Sequence, residues 1–195
     1  GSESDNAAIW AAIQTQPEKR HLVTTRVEHP AVLNVMQYWE RQGYHVTYLS
    51  VDAKGRLDLD EYAAALTPDT ALVSVMFANN EVGNIYPVQR LAEMAKERGL
   101  LFHTDAVQAV GKTPIDMAHL PVDMLSLSGH KLHAPKGIGV LYVRKGVRFR
   151  PFLRGGHQEN GRRAGTENVP YIVGLGVAAQ LAATHMEEER VSVAL

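Results

Sequence analysis

The sequence predicts a three-layer α/β protein, a mainly parallel sheet with helices on both faces. Three observations predict it. Apolar residues alternate between helical and extended spacing along all 195 residues. Stretches such as TALVSVMF, 70–77, are unbroken β-branched and apolar runs, the pattern of a strand buried on both sides. Helical stretches open on proline and close on glycine, so each strand is followed by a separate crossover, which favours parallel pairing.

In order, residues 5–16 have helical spacing and HLVTT, 21–25, is a short buried strand. Pro30 opens a helix over PAVLNVMQYWER that Gly43 stops, and YHVTYLSV, 44–51, is extended. Asp58 caps LDEYAAAL, and TALVSVMF follows as the next strand. Pro87 opens a helix to Arg98, Gly99 ends it, and LLFHTD, 100–105, is the strand after it. DMLSLS, 123–128, and GVLYVRK, 139–145, are the last strands, followed by a Gly- and Arg-rich segment and a helix over 168–190. No repeat, low-complexity tract or internal linker interrupts the chain. Its ends, on Gly1-Ser2 and within a helical pattern, are those expected of a piece of a longer chain.

With 45% hydrophobic and 21% charged residues the chain can bury a full core. Twenty basic against 21 acidic residues provide no long-range pull on nucleic acid or an anionic membrane, so neither is an expected partner and any anion site must be local. No apolar run is read as long enough to span a bilayer and no signal-peptide pattern opens the chain, which makes the cytoplasm the expected location. Cysteine is absent, excluding disulfides and thiolate metal sites within these residues; no metal site is expected.

Ligands of a parallel sheet gather outside the carboxyl ends of its strands. Those ends carry Asn79-Asn80-Glu81, then Asp105 with Gln108, then Ser128-Gly129-His130-Lys131. Taken singly, Lys131 is a surface lysine, Asp105 a turn residue, and Ser128 and His130 turn or satisfied core groups. Together, a lysine amine, a carboxylate and hydroxyls match the needs of pyridoxal 5'-phosphate (PLP): a Schiff-base amine, a counter-charge for the ring nitrogen and donors for the phosphate.

The stretches SLSGHKLHAPKGIG, FHTDAVQAVGK, ANNEVGN, VEHPAV and GGHQENGRRAGTENV resemble the cysteine desulfurases of the NifS and IscS group, the nitrogen-fixation type most of all. The likeness runs in one register through essentially the whole chain. It implies a class-V-aminotransferase-like PLP enzyme of fold type I, of which residues 1–195 are a partial large domain. An N-terminal segment and a C-terminal small domain are missing from it. It also implies a homodimer that converts L-cysteine to alanine and passes the sulfur, as an enzyme persulfide, to a scaffold protein for iron–sulfur clusters.

Matched residue by residue, the resemblance makes Lys131 the Schiff-base lysine and Asp105 the partner of the pyridine nitrogen. Gln108 and Asn80 lie around the ring hydroxyl, and His29 stacks on the ring; on residue chemistry alone His29 is a helix-start residue before Pro30. Gly1 and Ser2 match the phosphate loop ahead of a helix, Ser2 standing where threonine is usual. Ser128, Gly129 and His130 complete the phosphate side, and Thr166 matches a threonine that reaches the other subunit's phosphate. Lys131, once freed, and His29 are the expected proton carriers. The family's acceptor cysteine has no match here, so this stretch alone is expected to be inactive. Readings that share the lysine and aspartate are a selenocysteine lyase, an aminotransferase, or a cofactorless scaffold of the same fold.

Overall fold

The short β-branched runs form the strands and the amphipathic stretches cover them. In the computed structural model, which describes residues 1–193, the order is α1 (Ser2–Thr15), β1 (His21–Thr25), α2 (Pro30–Arg41), β2 (His45–Leu49), α3 (Leu59–Ala65) and β3 (Thr70–Ser74). It continues with α4 (Val88–Glu97), β4 (Leu101–Asp105), β5 (Met124–Ser128), β6 (Gly139–Val143) and α5 (Val169–Val193). Two 3-10 turns, Gly129–Leu132 and Gln158–Gly161, join the later elements.

One six-stranded sheet runs β2-β1-β3-β4-β5-β6. All neighbours are parallel except β5 and β6, which pair antiparallel with Ser128 opposite Gly139. Residues 129–138, with the 3-10 turn inside them, are too short for a crossover, so the chain must return antiparallel. Successive strand residues point to opposite faces. Leu22, Leu72 and Met124 meet Ala8, Ile9, Ala12 and Ile13 of α1 and Val32 and Met36 of α2. Val23, Val73, Phe102 and Leu125 meet Tyr62 of α3 and Leu91, Ala92 and Ala95 of α4 on the other side. The buried Tyr62 hydroxyl donates to the Leu91 carbonyl at 2.7 Å and ties α3 to α4.

Caps follow the sequence. Asp58 accepts from the amides of Asp60 and Glu61, and Gly43 takes the left-handed φ of 86° after α2. Three expectations are corrected. The first helix starts at Ser2 rather than residue 5, because the Gly1 carbonyl already accepts the Asp5 amide at 3.0 Å and the Ser4 hydroxyl at 2.7 Å. The third strand stops at Ser74 rather than 77. Beyond it the Val75 and Phe77 amides still bond to β4, but the Met76 amide turns the other way and donates to the Glu28 carboxyl at 2.9 Å. Glu28 stands in for strand backbone where β1 has ended.

The third correction concerns the apolar runs: by length and composition the helical stretch Val169–Ser192 is long and apolar enough to cross a membrane. Leu175 and Ala178 of α5 pack on Leu132 and Ala134, whereas Val173, Val177 and Leu181 are exposed.

Candidate functional site

The strand ends named by the sequence lie on adjacent, co-directional strands, β3, β4 and β5. Alternation along β4 points His103 and Asp105 to the α1 side of the sheet and Phe102 to the α3–α4 side. Asp105 is buried, and its Oδ1 accepts the Val107 amide at 2.9 Å. Burial pushes this carboxyl above its ordinary range, while the Val107 N–H pulls it back. The result is a shielded carboxylate that gains from a cation placed against it.

On the neighbouring strand, Ser128 is buried and leads directly into the turn Gly129–Leu132. The turn is pinned from three sides. The Gly129 amide donates to the Ile138 carbonyl at 2.9 Å. A Cβ on Gly129 would lie 2.6 Å from Ile138 Cγ2 and 3.1 Å from its carbonyl oxygen, so no side chain fits. Leu132 is buried against α5, and His133 closes the turn with φ of 63°. Lys131 is thereby held half-buried on a rigid turn, its ammonium without a hydrogen bond or ion pair among the described residues. The exposed His130 places Nδ1 2.8 Å from Ser128 Oγ. Desolvation first, then the Lys131 and Lys136 charges, hold its imidazole below the usual range and favour the neutral ring.

The start of α1 completes this edge. A Cβ on Gly1 would sit 3.4 Å from Val107 Cγ2 and 3.7 Å from Ser128 Cβ; one on Gly139 would sit 3.1 Å from the Gly1 nitrogen. No side chain caps α1, so its first amides stay available. Ser2 is exposed on that first turn. A cleft of about 740 Å³ opens here, lined by Gly1, Ser128, Gly139, Arg162, Arg163 and Thr166 among others, and Thr166 faces it within the same chain as Ser128. Arg163 is committed to Glu3 through Nε–Oε1 at 2.8 Å and Nη2–Oε2 at 3.2 Å.

The remaining predicted residues sit in loops. His29 is the N-cap of α2, its Nδ1 accepting the Ala31 amide at 3.1 Å, so the local role read from Pro30 is present. Gln108 is half-buried and accepts from Lys112 Nζ at 3.1 Å. Asn80 is exposed and donates to Glu81 at 2.7 Å; no contact gathers it to Asp105 or Lys131. Its neighbour Asn79 organises the loop, accepting from the Glu81 and Val82 amides and donating to the Val27 carbonyl at 3.1 Å.

Sequence reasoning missed a set of buried polar groups behind these positions. His103 bridges Ser74 and Ser126 at 2.9 Å each, and burial holds its imidazole down to about 3, so it is neutral. Asp5 is fully buried with Oδ1 3.7 Å from His103 Nε2. Glu28, also buried, accepts from Thr25 Oγ1 at 2.8 Å and the Met76 amide at 2.9 Å, and burial pushes it up to about 8. The available signal was polar residues inside otherwise apolar elements: Asp5 in α1, and Ser74, His103 and Ser126 in strands.

Three comparisons bear on this arrangement. The aminotransferase class-V family matches residues 1–192. A cysteine desulfurase of Nostoc sp. strain PCC 7120 is 65% identical over 187 residues, covering 96% of this chain and 47% of that protein. The cysteine desulfurase NifS of Azotobacter vinelandii is 60% identical over 193 residues, 99% of this chain and 48% of that one. Among solved structures, a NifS-like protein superposes with a TM-score of 0.93 at 44% identity, covering 96% of this chain and 52% of its own. A structure described as SspA in complex with cysteine gives 0.88 at 43% identity, covering 92% and 52%. The chain thus spans about half the length of the curated relatives it matches.

Proposed function

The chain belongs to the aminotransferase class-V family, and on that premise we propose that it is the cofactor-binding part of a PLP-dependent cysteine desulfurase. The observation that carries the reading is the joint placement of Asp105 and Lys131 at the ends of adjacent strands, beside the uncapped start of α1. The similarity to named cysteine desulfurases supports the reaction class.

The residues fit PLP. Asp105 is a buried carboxylate suited to a cationic ring nitrogen, and Lys131 offers an unengaged amine on a rigid turn. Gly1, Gly139 and Ser128 leave a small-residue cradle at a helix start, where an anion is favoured. Bound there, PLP supplies an electron sink for the charge released at the substrate Cα.

The chain's own residues supply the rest. Asp105 would keep the ring nitrogen protonated, and Lys131 would hold the cofactor through its amine and then take the Cα proton at Nζ. His29, on the α2 cap, would stack on the ring, and Gln108 and Asn80 would hydrogen-bond about its hydroxyl. Ser128 and His130 complete the phosphate site, with Ser2 on the first turn of α1, and Thr166 reaches the phosphate held by the other subunit. The substrate is L-cysteine, and the thiol that takes its sulfur comes from outside residues 1–195, which hold no cysteine. The complete enzyme is a cytoplasmic homodimer delivering sulfur to an iron–sulfur scaffold protein.

Lys131→Ala in the full-length enzyme tests the assignment. It is expected to abolish alanine release and to remove the pyridoxyl label that borohydride leaves on the wild type, with the circular dichroism spectrum unchanged. A label mapped to another lysine, or turnover by the variant, would refute it.

A further inference from the structure

The polar layer behind Asp105 holds one group that neither packing nor the proposed reaction explains. Asp5 has no exposed surface, and both of its carboxyl oxygens are sealed from water without a hydrogen-bond partner. A buried carboxyl left this way is costly unless its protonation state is used. Its surroundings are defined on every side. From β4, His103 Nε2 lies 3.7 Å away, and Asp105 follows two residues later on the same face. From β5, Ser126 is the register partner of Asp105 and bonds His103 at 2.9 Å. From the loop after β1, Glu28 feels the charges of both aspartates, and His29 acts on Asp105.

We propose that Asp5 is a positioning residue for Asp105, a second hidden carboxyl that keeps its proton while Asp105 stands alone and holds it less tightly when a cationic ring nitrogen settles on Asp105. The idea rests on the reading that PLP binds there. The order of ionisation follows from the partners. Asp105 has the Val107 amide to support its anion, whereas neither Asp5 oxygen accepts a hydrogen bond. Asp5 is pushed up to about 7, by burial first and by the Asp105 charge second. His103 cannot neutralise either, being itself held neutral by burial. A positive charge on Asp105 offsets the repulsion between the carboxylates, so Asp5 holds its proton less tightly and part of it leaves, while burial retains the rest.

The test counts protons. Apoenzyme of the full-length protein is titrated with PLP by calorimetry in buffers of different ionisation enthalpy, at pH 6 and pH 8.5. At pH 6 the wild type is expected to release a measurable fraction of a proton more than Asp5→Asn, and at pH 8.5, where Asp5 is already ionised, the two should agree. Asp5→Glu, which restores an ionisable group, should recover the release. Equal proton counts at pH 6 in a folded Asp5→Asn protein would overturn the proposal. Should Asp5→Asn fail to fold, carboxyl ¹³C NMR of the wild-type apoenzyme decides: Asp5 must be protonated at pH 6, and a carboxylate signal there overturns it. Wild-type protein that binds no PLP would refute the proposed function, whereas binding with equal proton counts refutes only the role of Asp5.

Discussion

The two faces of the sheet are made from the same strands and are chemically opposed. Toward α3 and α4, Val23, Val73, Val75, Phe102 and Leu125 form an apolar layer that runs to the carboxyl ends of the strands. Toward α1 the layer is apolar only at the amino ends, where Leu22, Leu72 and Met124 lie; two residues further on the same positions become Ser74, His103 and Ser126, and then Asp105 and Ser128. Strand alternation makes this possible, because Phe102 and His103 are neighbours in sequence yet belong to different layers. The difference teaches that stability and chemistry are divided by face: one side holds the sheet, and the other carries buried polar groups toward its edge.

Substitutions can break that division or sharpen it. Phe102→Ala removes a ring from the apolar face and should cost about 3–5 kcal/mol, read by urea denaturation, because the cavity lies under α4 where the backbone cannot collapse into it. A loss comparable to that of a surface change would show that this face does not carry the stability. Asp105→Asn alters the polar face while keeping its shape. Stability should barely change, PLP should still bind, and turnover of the full-length enzyme should fall well over tenfold, each ~1.4 kcal/mol of barrier being tenfold; normal turnover would contradict the role. Ser74→Ala should be the mildest, about 1 kcal/mol in thermal denaturation for one hydrogen bond to His103. A loss as large as that of Phe102→Ala would erase the distinction between the faces.

The layered fold was legible in the sequence because its signals are local. Pro30, Asp58 and Gly43 act within a few residues of where they stand, and the β-branched run after Thr70 announces its own burial. Lys131 and Asp105 were legible because they end apolar runs. Glu28 was not: its partner Met76 is 48 residues away, and a glutamate before His29 and Pro30 looks like any loop residue. Asp5 and His103 are separated in the chain by nearly the whole core and meet only when α1 lies on β4. The start of the first helix was misplaced because its opening residues are polar, with Ser2 and Glu3 exposed, so no apolar spacing marks that turn.

The connections leave β1 in one direction toward β2 and then pass back over it to β3, so the β1–β3 boundary is where the winding of the sheet reverses. An open sheet usually gapes at that point and takes its ligand there. Here the gap is stitched shut. Glu28 bridges Thr25 to the Met76 amide, and Asn79 reaches back to the Val27 carbonyl, so the two loops that would have parted are joined side chain to backbone. The joined loops form a brace behind the α2 cap, and His29 on it, beside the ends of β4 and β5.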